Sequence, residues 1–329
     1  MKKILLIQTA FTGDVVLATP VLEKLHRFFP EAKIDFCLRK GNESLLKEHP
    51  FVNEVLIFDK KNRKLRNLFG LLSRIRRTKY DLVVNMHRFA SSGLLTGFSK
   101  AKEKIGFENN PLSFLFTKKI KHEIGTGKHE VRRNLELIEQ LTDTLPEKPK
   151  LYPSDSDRKL VSYHKLLGTY VCIAPTSVWF TKQWPEEKWV ELIQLIPPTI
   201  RIYLLGGPVD SKTCEDILRR SAHSNIANLS GQLSFLQSAA LMEGAKMNFV
   251  NDSAPMHFAS AMNAPVTAIY CSTVPAFGFG PLSDLSHVLE TEEKLTCRPC
   301  GLHGHKVCPE IHFKCALTID AKKVIEKID

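Results

Sequence analysis

Three short segments of this 329-residue chain set acidic, basic and hydroxyl side chains where an apolar, strand-like run gives way to a helical one. The first is Thr9-Ala10-Phe11-Thr12-Gly13-Asp14, ahead of a helix beginning near Val15. Gly13 permits a tight turn, and Asp14 lies at a helix N-terminus, where the dipole favours its ionised form. A carboxylate there can take a proton from an attacking hydroxyl, or it can simply cap the helix. In the second segment, 174–185, Thr176 and Ser177 offer hydroxyls and Lys182 a point charge suited to a diphosphate. A lysine set among aromatics equally describes a packed surface loop. The third, Asn251-Asp252-Ser253-Ala254-Pro255-Met256-His257, opens a helix rich in small residues. Free backbone N–H groups at that helix start, with the Ser253 hydroxyl, suit a phosphate. His257, one turn in, can reach the same phosphates or serve as a core or capping histidine.

Short Val, Ile and Leu runs at 3–8, 33–38, 52–58, 82–85 and 104–106 alternate with helical stretches such as 20–29 and 134–141. This pattern predicts parallel strands covered by helices on both faces. A polar stretch with Pro and Lys at 145–157 reads as a linker, and a second series follows at 170–174, 200–205, 226–229, 247–250 and 266–270. The expectation is an α/β chain of two Rossmann-like domains, 1–155 and 156–329. Ligands should then meet the carboxyl ends of the strands, at the loops after residues 8, 174, 205 and 250.

The composition, 43% hydrophobic and 25% charged, is that of a globular chain, and no apolar run reaches the roughly 18–20 residues that span a bilayer. The opening Met1-Lys2-Lys3-Ile4-Leu5-Leu6-Ile7 begins like a signal peptide, but the apolar run stops at Gln8 without a cleavage site, so it is expected to be a buried strand. The eight cysteines are then expected in a reducing compartment, without disulfides. Charge is uneven: residues 1–165 carry 32 Lys and Arg against 19 Asp and Glu, whereas 166–329 carry 14 against 16. The basic first half favours an anionic partner: a phosphorylated or carboxylated ligand, anionic lipid or nucleic acid. Nucleic acid is disfavoured, because the basic residues are not interleaved with a stacking platform and the three loops would be left without a purpose.

Four stretches in order along the chain carry a resemblance. They are Gly13–Pro20 after the opening strand, Thr-Lys-Gln-Trp-Pro at 181–185, Leu-Gly-Gly-Pro at 205–208, and Asn-Asp-Ser-Ala-Pro-Met-His at 251–257. Together they resemble the lipopolysaccharide heptosyltransferases, glycosyltransferase family nine, with a leaning toward the heptosyltransferase II type. The resemblance implies the GT-B fold, two Rossmann-like domains facing a cleft, and inverting transfer of heptose from ADP-heptose to Kdo or heptose of the lipopolysaccharide inner core. It places Asp14 as general base and Lys182 on the donor phosphates. Thr176, Ser177, Asp252, Ser253, Ala254 and His257 fall at donor-binding positions, and Asp210 is the acidic candidate for the ribose. Ala254 stands where the family usually has Gly. A transferase of the same fold using another nucleotide-sugar remains the alternative. No cofactor is implied for catalysis.

The family's N-terminal domain receives the acceptor at the cytoplasmic face of the inner membrane, which makes Arg39, Lys40, Arg88, Arg132 and Arg133 acceptor candidates. Arg88 is preferred, since it follows the strand at 82–85. The run 60–79 holds nine Lys and Arg around Leu68, Phe69, Leu71, Leu72 and Ile75, suiting either a helix lying on anionic lipid or an ordinary surface helix. Near the C-terminus Cys297, Cys300, Cys308 and Cys315 could close a structural zinc site, although the spacing of the second pair is wider than zinc ribbons use. Packed, reduced cysteines are the competing expectation.

Overall fold

Strands with no polar alternation must be covered on both faces, and Ile4 to Ile7 are wholly buried in consequence. In the computed structural model, which describes residues 2–328, the chain divides between Tyr152 and Pro153 into two units. The first unit holds β1 (Lys3–Gln8), α1 (Thr12–Val16), α2 (Thr19–Phe28), β2 (Lys33–Arg39), β3 (Val52–Phe58), α3 (Lys64–Thr78), β4 (Leu82–Asn85), α4 (Ala90–Gly97), β5 (Glu103–Phe107), β6 (Lys118–Ile120) and α5 (Glu130–Glu136). Its sheet runs β3-β2-β1-β4-β5-β6, every pair parallel.

The second unit holds α6 (Asp155–Leu166), β7 (Tyr170–Ala174), α7 (Glu186–Leu195), β8 (Arg201–Leu204), α8 (Ser211–Ser221), β9 (Ile226–Asn228), α9 (Phe235–Glu243), β10 (Met247–Asn251), α10 (Ala254–Ala261), β11 (Val266–Tyr270), β12 (Ser286–Glu290), α11 (Lys314–Leu317) and α12 (Ala321–Ile325). Its sheet runs β12-β11-β10-β7-β8-β9, again all parallel. Both units are therefore Rossmann-like, as the strand–helix alternation predicts. The strand order reverses between β1 and β4 in one and between β7 and β10 in the other, and the three chemistry-bearing loops leave β1, β7 and β10 at these points.

The structure departs from the sequence pattern in places with identifiable causes. β6 and β12 are edge strands with half-exposed polar residues, so neither reads as an apolar run. The helix expected at 134–141 begins earlier, at Glu130, where the His129 side chain accepts the Val131 N–H, and gives way to turns after Glu136. The division between units falls three residues before the 155/156 boundary, because Ser154 caps α6, its hydroxyl accepting the Asp157 N–H at 3.2 Å while Asp157 accepts the Ser154 N–H at 3.1 Å. In α3, Leu68, Leu71, Leu72 and Ile75 are buried in the first unit's core, which leaves only Leu65 and Phe69 as exposed apolar residues of that helix.

Arg133 is corrected from acceptor candidate to buried structural cation. It is 1% exposed, and its Nε donates to Glu130 Oε2 at 2.7 Å while Nη1 reaches the carbonyl oxygens of Glu123 and Lys128. Burial alone would push the Glu130 carboxyl up, but His122, 3.1 Å away, and Arg133 hold it below the usual range. Arg133→Met strands a buried carboxylate, so it should lower the stability of the first unit by about 3–5 kcal/mol, measured as a fall in the urea midpoint.

Candidate functional site

At the carboxyl end of β1 the loop is held from several sides. Lys60 Nζ donates to the Thr9 carbonyl at 2.6 Å, Thr12 donates to Asn42 Oδ1 at 3.0 Å, and the Thr9 hydroxyl meets His87 Nδ1 at 3.2 Å. Asp14, half-buried, accepts the Phe11 N–H at 3.1 Å. Capping is therefore present, yet it is not all the residue does. Burial foremost, then the charge of Glu130, pushes the Asp14 carboxyl up to about 6, against the opposing Phe11 hydrogen bond and the Arg88 charge. A carboxylate balanced there is ionised at neutral pH and basic enough to accept a proton.

Arg88 is thus brought into the electrostatic reach of Asp14, as its place after β4 predicts. Arg39 lies 5.1 Å over the Phe11 ring, beside the same loop. Lys40 is paired with Asp59 at 3.1 Å, and Arg132 is committed to Glu136, Glu139 and the Thr144 carbonyl. Arg132 and Lys40 thus carry local pairs rather than standing free for an acceptor. Two further residues belong here. Burial, with Arg39 and Lys64 adding repulsion, pushes Lys60 down to about 8. Burial, with Lys60 and Arg88, holds His87 near 3, so its ring is neutral. Lys60 could have been found by the strand-end rule, since it follows β3; nothing in the motif pattern singles out His87.

In the second unit Asn251, fully buried at the end of β10, joins the loops. Its Nδ2 donates to the Pro175 carbonyl at 2.8 Å and its Oδ1 accepts the Trp184 N–H at 2.9 Å. Trp184 Nε1 donates to the Ala316 carbonyl at 3.2 Å, and Gln183 Nε2 to the Ser177 carbonyl at 2.7 Å. With its neighbours pinned, Lys182 places Nζ 2.7 Å from Asp252 Oδ2, which also accepts the Thr273 hydroxyl at 2.7 Å. Both contacts fall on Oδ2, and through that oxygen Asp252 holds Lys182 in place; facing a diphosphate directly the carboxylate would repel it.

Thr176 and Ser177 lie half-buried on the same loop. Ser253 precedes α10, and its hydroxyl donates to the Asn251 carbonyl at 3.3 Å rather than capping the helix. Ala254 opens α10 without entering the left-handed region, so the usual glycine is not required by the backbone here. His257 is buried on the first turn. Asp210 Oδ2 accepts the Gly207 N–H at 2.7 Å, closing its own turn.

Among the described residues no group of three or more His, Cys, Asp or Glu is placed to hold a metal ion. All eight cysteines are free thiols; Cys315 is buried and Cys300 donates to the Cys297 carbonyl.

The balance at Asp14 is directly measurable. In a carbon-13 NMR titration of its carboxyl the midpoint should fall near pH 6, and Arg88→Met should move it upward by removing the positive charge that favours ionisation.

The protein-family model described as glycosyltransferase family 9 (heptosyltransferase) matches residues 68–306. Lipopolysaccharide heptosyltransferase 3 of Escherichia coli strain K12 is 30% identical over 281 residues, covering 81% of this chain and 82% of the relative. Among solved structures, a glycosyltransferase family 9 protein of Veillonella parvula superposes with a TM-score of 0.86 at 23% identity, covering 99% of this chain and 96% of that one. E. coli ADP-heptose lipopolysaccharide heptosyltransferase II gives 0.79 at 23%, covering 100% and 97%. These likenesses reproduce the expected GT-B fold but lend little weight to the type II leaning, the type 3 relative being 30% identical. Over most of its length, in fold and in motif order, the chain belongs to glycosyltransferase family 9, the heptosyltransferase family.

Proposed function

We propose that the protein transfers heptose from ADP-heptose to Kdo or heptose of the lipopolysaccharide inner core, with inversion. The observation that carries this is Asp14, a carboxylate balanced near 6 at the switch point of the first sheet. The substrate class is supported by the relative named as a lipopolysaccharide heptosyltransferase and by the structure named for ADP-heptose. Asp14 takes the proton of the acceptor hydroxyl as that oxygen bonds to the anomeric carbon. The bond from that carbon to the diphosphate breaks on the opposite face, and ADP leaves with the electron pair. Lys182 stabilises the charge developing on the leaving diphosphate, assisted by the Ala254 backbone N–H at the start of α10.

The basic surface of the first unit suits the carboxylated acceptor. We also assign it contact with the anionic inner face of the membrane, through the outer face of α3, where Leu65 and Phe69 stand among Lys64, Arg66, Arg76 and Arg77. No described helix is long and apolar enough to cross a membrane.

With ADP-heptose and inner-core acceptors ending in Kdo or in heptose, Asp14→Ala should bind ADP normally and lose about 10²–10⁴ in kcat. Lys182→Ala should weaken both ADP binding and transfer. The wild-type kcat/KM should fall about tenfold per pH unit below about 6, as Asp14 becomes protonated. Near-normal turnover by Asp14→Ala would remove it as the base. Sedimentation with vesicles containing anionic phospholipid should drop on Leu65→Ser with Phe69→Ser, while transfer to a water-soluble acceptor is retained; unchanged sedimentation would rule out α3 as the contact.

A further inference from the structure

The segment from Cys297 to His305 has no regular secondary structure, yet it is hydrogen-bonded to the Lys182 loop and to the stretch after β11 that holds Asp252. On one side Arg298 Nε donates to the Cys271 carbonyl at 2.7 Å and Nη2 to the carbonyls of Thr273, at 2.7 Å, and Tyr270, at 3.2 Å. The Cys300 N–H donates to the Ser272 carbonyl at 2.8 Å. This is the stretch whose Thr273 hydroxyl holds Asp252. On the other side the Thr181 N–H donates to the His305 carbonyl at 3.1 Å, and the Thr181 hydroxyl accepts the His305 N–H at 2.7 Å and the Ser272 hydroxyl at 3.0 Å. That hydroxyl, on a residue 1% exposed, also donates to the His305 carbonyl at 3.3 Å, so its donor and both acceptor positions are used.

Contact this close needs Gly304. Its φ is +73°, and a Cβ added there would stand 2.7 Å from the Thr181 hydroxyl, 3.0 Å from that of Ser272 and 3.2 Å from Lys182 Cγ. Any side chain at 304 would push on the stem of the lysine itself.

We infer that residues 298–305 are a strap that positions the Lys182–Asp252 pair, with Thr181, Gly304 and Arg298 as positioning residues acting through Lys182 and Asp252. The inference rests on the donor-binding role proposed for Lys182. It gives the cysteine-rich segment a purpose independent of metal: its backbone, not its thiols, bridges the two loops. An ammonium anchored on a surface stem would sample many rotamers, whereas one whose flanking residue is fixed by four hydrogen bonds is held ready for the diphosphate.

ADP binding measured by calorimetry, together with kcat and KM for transfer, tests the strap. Thr181→Val keeps shape but removes the hydroxyl, and should weaken ADP binding about tenfold and lower kcat, while Thr181→Ser should stay within about twofold of the parent. Gly304→Ala, in an irregular segment outside the sheet, should match Thr181→Val and serves if that variant folds poorly. In a double-mutant cycle, Thr181→Val placed on Lys182→Ala should produce no further loss, because its effect passes through the lysine. Parent-like ADP affinity in Thr181→Val and Gly304→Ala, or losses that simply add to that of Lys182→Ala, would overturn the inference. Should Lys182→Ala itself bind ADP normally, the donor-site reading fails first, which distinguishes the two.

Discussion

An ammonium and a carboxylate held 2.7 Å apart, with 15% and 8% of their side chains exposed, are the constraint on which the second unit is organised. Removing both charges from water is unfavourable, and the pair recovers that penalty only if its geometry is fixed and its remaining valences are met. Asp252 therefore has the Thr273 hydroxyl as well as Lys182. The residues flanking Lys182 are tied down in turn: Thr181 to His305, Gln183 to Ser177, and Trp184 to Asn251 and Ala316. A pair of this kind contributes little to stability compared with an apolar contact. Its value is that it keeps a cation at a set place until an anion competes for it.

The first unit treats its own carboxylate in the opposite way. Asp252 has a cation in contact, whereas Asp14 has a backbone N–H in contact and Arg88 only at longer range, with the negative Glu130 working against ionisation. A carboxylate that is buried and opposed by a like charge makes a stronger base than a solvated one. Arg133 and His122 keep Glu130 charged, so residues away from the loop help set the basicity of Asp14. The Arg133 cation, an acceptor candidate by its place in the sequence, is instead used to sustain this arrangement.

Much of the frame was legible because parallel strands bury both faces and so leave unbroken apolar runs, and because loops at strand carboxyl ends are where α/β folds bind ligands. That logic placed Asp14, Lys182 and Asp252 beyond the ends of β1, β7 and β10, where the structure has them. It failed for β6 and β12, whose edge positions leave Lys118, Lys119, Ser286 and His287 partly in solvent and erase the apolar signature. It does not read the partners of Asp210 and Arg132, since a charged residue's partner, whether a ligand or its own turn, is a tertiary fact. Thr181 lies 124 residues from His305, and Lys60 51 residues from the Thr9 carbonyl it holds. Neither pairing leaves a local trace.

The cysteine-rich segment is tied to the Lys182 loop by groups other than its thiols. Thiols at Cys-x-x-Cys spacing draw the eye to metal, yet the contacts that connect this segment to the site come from the backbone of Cys300 and His305, the Arg298 guanidinium and the absent side chain of Gly304. An irregular segment can donate and accept wherever its backbone groups happen to point, which a helix or strand cannot, because those groups are already paired within the element. Bridging two loops that leave different strands, β7 and β11, requires that freedom. A positive φ at Gly304 brings the backbone close enough to reach Thr181, and Arg298 gathers three carbonyls where β11 ends. The order of the Lys182–Asp252 pair is thus imposed from a segment that carries none of the reacting groups.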